Sequence, residues 1–194
     1  IDNPLLNTRP LMHEPPFALA AFLVVVAMMT TFSMGILLPL YFESSFGYSA
    51  LVAGTLILPA IAVNAGTAIV GGRIMDRRGA WPLLPVGFAF IAIGQVVIAL
   101  TGESGDLLTV VLASVLVYAG VGLVMSPSQT AGLGTLPRRE HPSGVSIMNT
   151  LVMVAASFGP SLFVGVQAKA AATAQGHGAS SELAQAVGFS NAVM

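Results

Sequence analysis

Residues 17–42 form an unbroken run of 26 positions without Asp, Glu, Lys, Arg or His. At about 1.5 Å per residue, a helix of that length exceeds the roughly 30 Å hydrocarbon core of a bilayer and crosses it with some tilt. Four more uncharged runs follow at 50–72, 80–101, 107–136 and 143–168, and a sixth opens at about 187. Backbone groups in lipid must be bonded within their own segment, so each run has to be a helix. A barrel would need alternating strands of about 9–11 residues, and that alternation is absent from the sequence. The expected fold class is therefore an all-α polytopic membrane bundle with five full transmembrane helices and the start of a sixth. Residues 1–16, with Pro4, Pro10, Pro15 and Pro16, are expected as a connecting segment lying on the membrane surface.

Composition agrees with a bundle in lipid. The chain is 55% hydrophobic and 8% charged, against about 45–50% and about 25% in soluble domains. It has no cysteine, which excludes disulfides and thiolate metal sites. His13, His141 and His177 are far apart in sequence, and no metal site is expected from them. No G-x-x-x-x-G-K-[ST] phosphate loop is present, and no hydrolytic or redox constellation stands out. The chain is expected to be neither an enzyme nor a cofactor binder.

Charge placement gives the orientation. If residues 1–16 lie on the inner side, then Arg9, Arg73, Arg77, Arg78, Arg138 and Arg139 all fall inside, and Lys169 alone falls outside. Six of seven basic residues on one side marks that side as cytoplasmic. The long polar stretch from Lys169 to about Ala186 is then an external loop, and Ser143 is the expected N-cap of the fifth span.

Between the second and third runs lies a short charged knot at 71–79, Gly-Gly-Arg-Ile-Met-Asp-Arg-Arg-Gly. Gly79 suits a turn position with positive φ. Asp76, just before the next apolar run, would be favoured by a helix N-terminus. The knot resembles the signature loop of the major facilitator superfamily. Gly72, Ile74, Asp76, Arg77 and Gly79 match that loop, while Ala80 and Trp81 stand where the family has a basic pair. Three further stretches are similar to the C-terminal half of fourteen-span drug–proton antiporters. The first is Pro4-Leu5-Leu6-Asn7 with Arg9 and Phe17-Ala18. The second is Leu38 to Phe42 with Gly47-Tyr48-Ser49, Ala53-Gly54 and Leu58-Pro59. The third is Ser143 to Ser146 with Asn149 and Gly159-Pro160.

The resemblance implies a multi-pass transporter of the cell membrane that exports hydrophobic or cationic compounds in exchange for protons by alternating access. It implies that the chain is a C-terminal half, with an N-terminal half of the same transporter as its partner; the start at Ile1 and the stop at Val193-Met194, as an apolar run opens, lead to the expectation of missing material at both ends. It gives Gly72, Asp76, Arg77 and Gly79 a gating role, the alternative being a positively charged turn. It also implies that the first and fourth helices line a central cavity, the second and fifth form the seam with the other half, and the third and sixth face lipid.

Candidate substrate contacts come from helical spacing. Tyr118, Gly122, Met125 and Gln129 fall on one stripe, which offers a hydroxyl, a gap, a thioether and an amide to varied apolar molecules. Ordinary helix packing at Gly122 is the competing reading. Met29 and Phe32 on the first span, and Asn149 on the fifth, join the candidates, Asn149 with structural glue as its alternative; Asn64 and Gln95 are amides inside apolar runs expected to find a partner helix, and Gln95 reads as interhelical glue. No Asp or Glu sits deep in a span, so a proton-carrying carboxylate is expected in the other half. Glu43, at the outer end of the first span, is a possible proton or cation site or a plain solvated charge. The functional alternatives are a facilitator or symporter for another small solute, and a non-transporting membrane interaction subunit that keeps the fold.

Overall fold

The computed structural model describes residues 9–101, 106–176 and 181–193. Among these residues every regular element is helical. Helix α1 (Arg9–His13) is a short lead-in, followed by α2 (Pro15–Phe46), α3 (Ala50–Arg78), α4 (Leu83–Thr101) and α5 (Leu107–Gly134). A 3-10 turn (Arg138–Glu140) enters α6 (His141–Gly176), and α7 spans Ser181–Val193. Five of these helices are long and apolar enough to cross a membrane.

Helices α2 and α5 pack against each other at the centre and are the most deeply buried. Helix α3 lies along α5 and α6 along α2; α4 backs α5, and α7 backs α6. The faces of α3 and α6 are largely uncovered, with Leu51, Leu58, Ile61 and Ile69 exposed on one and Met153, Val154, Phe158 and Leu162 on the other. One small cluster, built from Phe17, Leu136, Ile147 and Met148 with Leu11 packed on it, joins the start of α2, the end of α5 and the start of α6. Those ends therefore lie together. At the opposite end, Tyr41 of α2 stacks on Phe189 of α7 at 4.3 Å between ring centroids.

Glycines at the crossings let these backbones approach. A Cβ on Gly94 would sit 2.9 Å from the Ala113 carbonyl oxygen, and one on Gly87 would sit 2.9 Å from that of Gly120. This is how α4 lies so close to α5, since small residues at a crossing let two helices approach.

Several boundaries differ from the sequence expectation. Helix α3 continues to Arg78, so 72–78 is helical rather than a loop. Arg77 and Arg78 in its last turn suit the negative helix end, and the helix stops at Gly79, where φ is +76°. Helix α6 already begins at His141, which places Ser143 inside it rather than at its cap. It continues past Lys169 to Gly176, because the run rich in alanine is the strongest helix former available. Only 177–180 of the expected external loop remain outside the described residues, and α7 opens at Ser181 rather than at 187. Pro59 and Pro127 do not interrupt their helices.

Candidate functional site

The central pair, α2 and α5, carries most of the candidate residues. Tyr118 is buried in the main core, and Met29 and Met125 are half-buried against that same core. The Tyr118 hydroxyl lies 3.9 Å from where a Cβ on Gly35 of α2 would sit. On the third side, Asn64 Nδ2 of α3 donates to the Tyr118 backbone carbonyl at 2.8 Å. Asn64 thus bonds to a neighbouring helix, as expected of an amide inside an apolar run.

Gly122 is not a gap in a pocket. A Cβ there would meet the Thr67 hydroxyl and would lie 2.5 Å from the Asn64 carbonyl oxygen. Its missing side chain is what brings α3 onto α5, so the packing reading replaces the pocket reading at this position. The four-residue stripe is therefore divided. Tyr118 and Gly122 are held against neighbouring helices, while Met125 and Gln129 lie half-buried further along α5.

On α2, Phe22, Val25, Met29, Phe32 and Ile36 follow one another at helical spacing. Phe22, Phe32 and Ile36 are exposed, and Val25 and Met29 are half-buried. This apolar face holds both α2 candidates; Phe22, Phe32 and Ile36 are its exposed members, while α6 passes close to Met29, where a Cβ on Gly159 would lie 3.0 Å from the Met29 Cα. Asn149 is exposed on α6, on a stripe with Ser146, Thr150, Ser157 and Ser161. Each of those four hydroxyls bonds back to a carbonyl one turn earlier, which satisfies them within the helix and leaves the Asn149 amide as the stripe's free polar group.

The gating candidates lie at the basic end of the bundle. Arg73, Asp76, Arg77 and Gly79 are exposed and Gly72 is half-buried. Asp76 sits in the last turn of α3, not at the start of the next helix. The single ion pair among the described residues is Arg139–Glu140 at 3.6 Å, so neither Arg73 nor Arg77 pairs with Asp76 here. The N-terminal capping role expected of Asp76 is thereby corrected. At the other end Glu43 is exposed in the last turn of α2, and its backbone carbonyl receives the Gly47 N–H at 3.1 Å.

Two cavities lie away from these residues. One, of about 340 Å³, is lined by Val26 and Thr30 of α2, Gln95 of α4, Leu162, Phe163 and Val166 of α6, and the end of α7. Gln95 thus opens on a cavity and makes no bond to a neighbouring helix, unlike the glue its sequence suggested. The other, of about 220 Å³, lies between α2, α6 and α7 and includes Gln167. Sequence reasoning passed over Gln167 because it fell in a stretch read as the end of a span. An amide between Val164 and Ala171 at helical spacing was the available signal.

Residues 2–160 match the family model of the Major Facilitator Superfamily. A lincomycin resistance protein, LmrB, of Listeria innocua serovar 6a is 31% identical over 97% of this chain and 38% of its own length. The LmrB of Bacillus subtilis strain 168 is 30% identical over 87% of this chain and 35% of its own length. A riboflavin transporter, RibZ, of Clostridioides difficile strain 630 is 24% identical over 84% of this chain and 34% of its own length. The chain spans well under half the length of these curated relatives. No solved structure matches it significantly.

Proposed function

The chain belongs to the major facilitator superfamily, and we propose that it serves as the C-terminal half-bundle of a proton-coupled exporter of small hydrophobic or cationic compounds, of the fourteen-span type. The observation that carries this reading is the likeness to lincomycin resistance proteins over nearly the whole chain. The packing supports it. Helices α3 and α6 present broad uncovered apolar faces, which suit a seam with a second half-bundle. We further propose that Met29, Phe32, Met125 and Gln129 face the same side as the Asn149 stripe.

In this reading Met29, Phe32 and Met125 provide adaptable apolar contact, Gln129 and Asn149 supply hydrogen bonds, and Tyr118 anchors the wall behind them. Glu43 draws cations or protons to the outer mouth. The 72–79 segment, with Asp76 and Arg77, biases the cytoplasmic side between open and closed. Residues 1–16 are cytoplasmic, and the carboxylate that carries the proton belongs to the N-terminal half.

The test is accumulation of lincomycin in an efflux-deficient bacterium that expresses the full-length protein. Lower accumulation, restored by a protonophore, is the expected result. Unchanged accumulation of lincomycin and of lipophilic cations would overturn the reading. Likeness to a riboflavin transporter favours a second reading, a carrier for another solute, and riboflavin uptake without any drug export would support that one instead.

A further inference from the structure

We propose that the cavity of about 220 Å³ between α2, α6 and α7 is a binding site for a neutral hydrogen-bonding group, a carboxamide or hydroxyl carried on a short apolar tail, and that Gln167 is the residue that grips it.

Gln167 is 2% exposed, yet neither its amide nitrogen nor its amide oxygen has a hydrogen-bond partner. A buried amide left unpaired is costly, and replacing it with an apolar residue of the same shape would remove that cost. Gln167 is one of the residues that line the cavity, and its amide, buried at the wall, would turn its unused donor and acceptor toward a ligand there. Two more amides share the lining. Gln185 is half-buried and Gln175 is exposed, which grades the site from an open mouth to a closed floor. Leu40, Val164 and Ala171 supply the apolar wall.

Close helix packing fixes the grip. Gly188 of α7 approaches so near that a Cβ on it would lie 2.6 Å from the Gln167 carbonyl oxygen and 3.2 Å from Gln167 Cγ. The stem of Gln167 is thereby held, which lowers the entropy its side chain would lose on binding. Among the described residues no charged side chain lines the cavity. An ion would lose its hydration there without a counter-charge, whereas a group with both donor and acceptor can match the amide in full. The site is separate from the Met29, Phe32, Met125 and Gln129 face and does not depend on the transport reading.

The test uses the full-length protein in nanodiscs, with one introduced cysteine at Ala172, an exposed lining position, and any native cysteines replaced. The rate of modification by a membrane-impermeant maleimide is followed with octanamide and, as a control with the same heptyl tail, heptyltrimethylammonium. Octanamide should slow labelling saturably and the cation should not. Adding Gln167→Leu should weaken octanamide protection by about tenfold, the effect of losing one well-placed hydrogen-bonding group, while leaving the thermal midpoint unchanged or higher. Four results would each overturn the proposal: no protection by octanamide, equal protection by both compounds, protection indifferent to Gln167→Leu, or a fall in thermal midpoint. The last would make the amide a structural partner. A Gln167→Asn variant keeps the amide on a shorter stem and should retain part of the protection.

Discussion

Asn64 of α3 reaches across to donate a 2.8 Å hydrogen bond to the backbone carbonyl of Tyr118, near the middle of α5. Four residues further along α5, Gly122 sits with no room for a side chain against Asn64, Thr67 and Ala68. The bond and the close approach act at the same crossing. One fixes the rotation of α3 and the other its distance from α5.

The bond should therefore be measurable in isolation. Asn64→Leu is expected to lower stability by about 0.6 kcal/mol and at most about 1.7 kcal/mol, the range for interhelical bonds in membranes. Tyr118→Phe should leave this contribution intact, because the acceptor is main chain. Thermal unfolding of the purified full-length protein in detergent, with both variants and their combination, checks this. Equal losses from the two single changes would move the acceptor to the tyrosine hydroxyl.

Glycines that look alike in sequence should behave oppositely. A Cβ on Gly94 would come within 2.9 Å of the Ala113 carbonyl oxygen and 3.1 Å of the Val117 nitrogen, both backbone atoms that cannot move aside. Gly94→Ala is expected to cost about 1–3 kcal/mol, as overpacking does. Gly54, with nothing within 4 Å of its Cβ position, should accept alanine with no loss or with a small gain in helix propensity. A matched pair of unfolding curves decides it, and similar midpoints for the two variants would remove the packing account of α4 against α5.

The fold was readable from the sequence because the lipid constraint is severe: uncharged runs of that length can only be helices, and the five spanning helices lie where those runs lie. Helix ends were less legible. Alanine-rich 170–174 lacks the hydrophobicity of a span but has the propensity of a helix, and hydropathy reads only the first. The site was legible only in part. Helical spacing placed Tyr118, Gly122, Met125 and Gln129 on one stripe correctly, but which neighbour covers each position is a tertiary fact. Gly122 meets Thr67, about 55 positions away in the chain, a pairing that spacing within one helix cannot reveal. The unpaired state of Gln167 was invisible for the same reason.

Orientation is open to direct labelling. Trp81 and Arg139 are 85% and 84% exposed at the basic end of the bundle, while Asp106 and Thr173 are exposed at the other end. Single cysteines at Asp106 and Thr173 should react in intact cells with an impermeant thiol reagent. Cysteines at Trp81 and Arg139 should react only after permeabilisation if the arginine-rich side is cytoplasmic, as charge bias predicts. The reverse pattern would invert the bundle and remove the basis for calling residues 1–16 cytoplasmic.

Asp76 gives the last prediction. It is exposed in the final turn of α3, beside Arg77 and Arg78 and without an ion-pair partner among the described residues. A carboxylate at a helix C-terminus faces the negative end of the helix dipole, which disfavours it by about 0.3–1 kcal/mol. Asp76→Asn should therefore leave the stability of the protein unchanged or raise it slightly. If the residue only shapes a basic turn, transport should be unchanged as well. A residue can shift a two-state equilibrium only through contacts that differ between the states. Asp76 makes no ion pair among the described residues, so a latch would require a partner beyond them, such as one on the proposed opposite half, when the cytoplasmic side is closed. Loss of that contact should move the population toward the inward-open form by about 1–3 kcal/mol, with export falling while membrane insertion stays normal. The measurement pairs export with cysteine accessibility on both faces, comparing unmutated, Asp76→Asn and Asp76→Glu proteins. Glutamate should recover part of the closed population because it restores the charge. Accessibility and export unaffected in the asparagine variant would reduce 72–79 to a positively charged helix end.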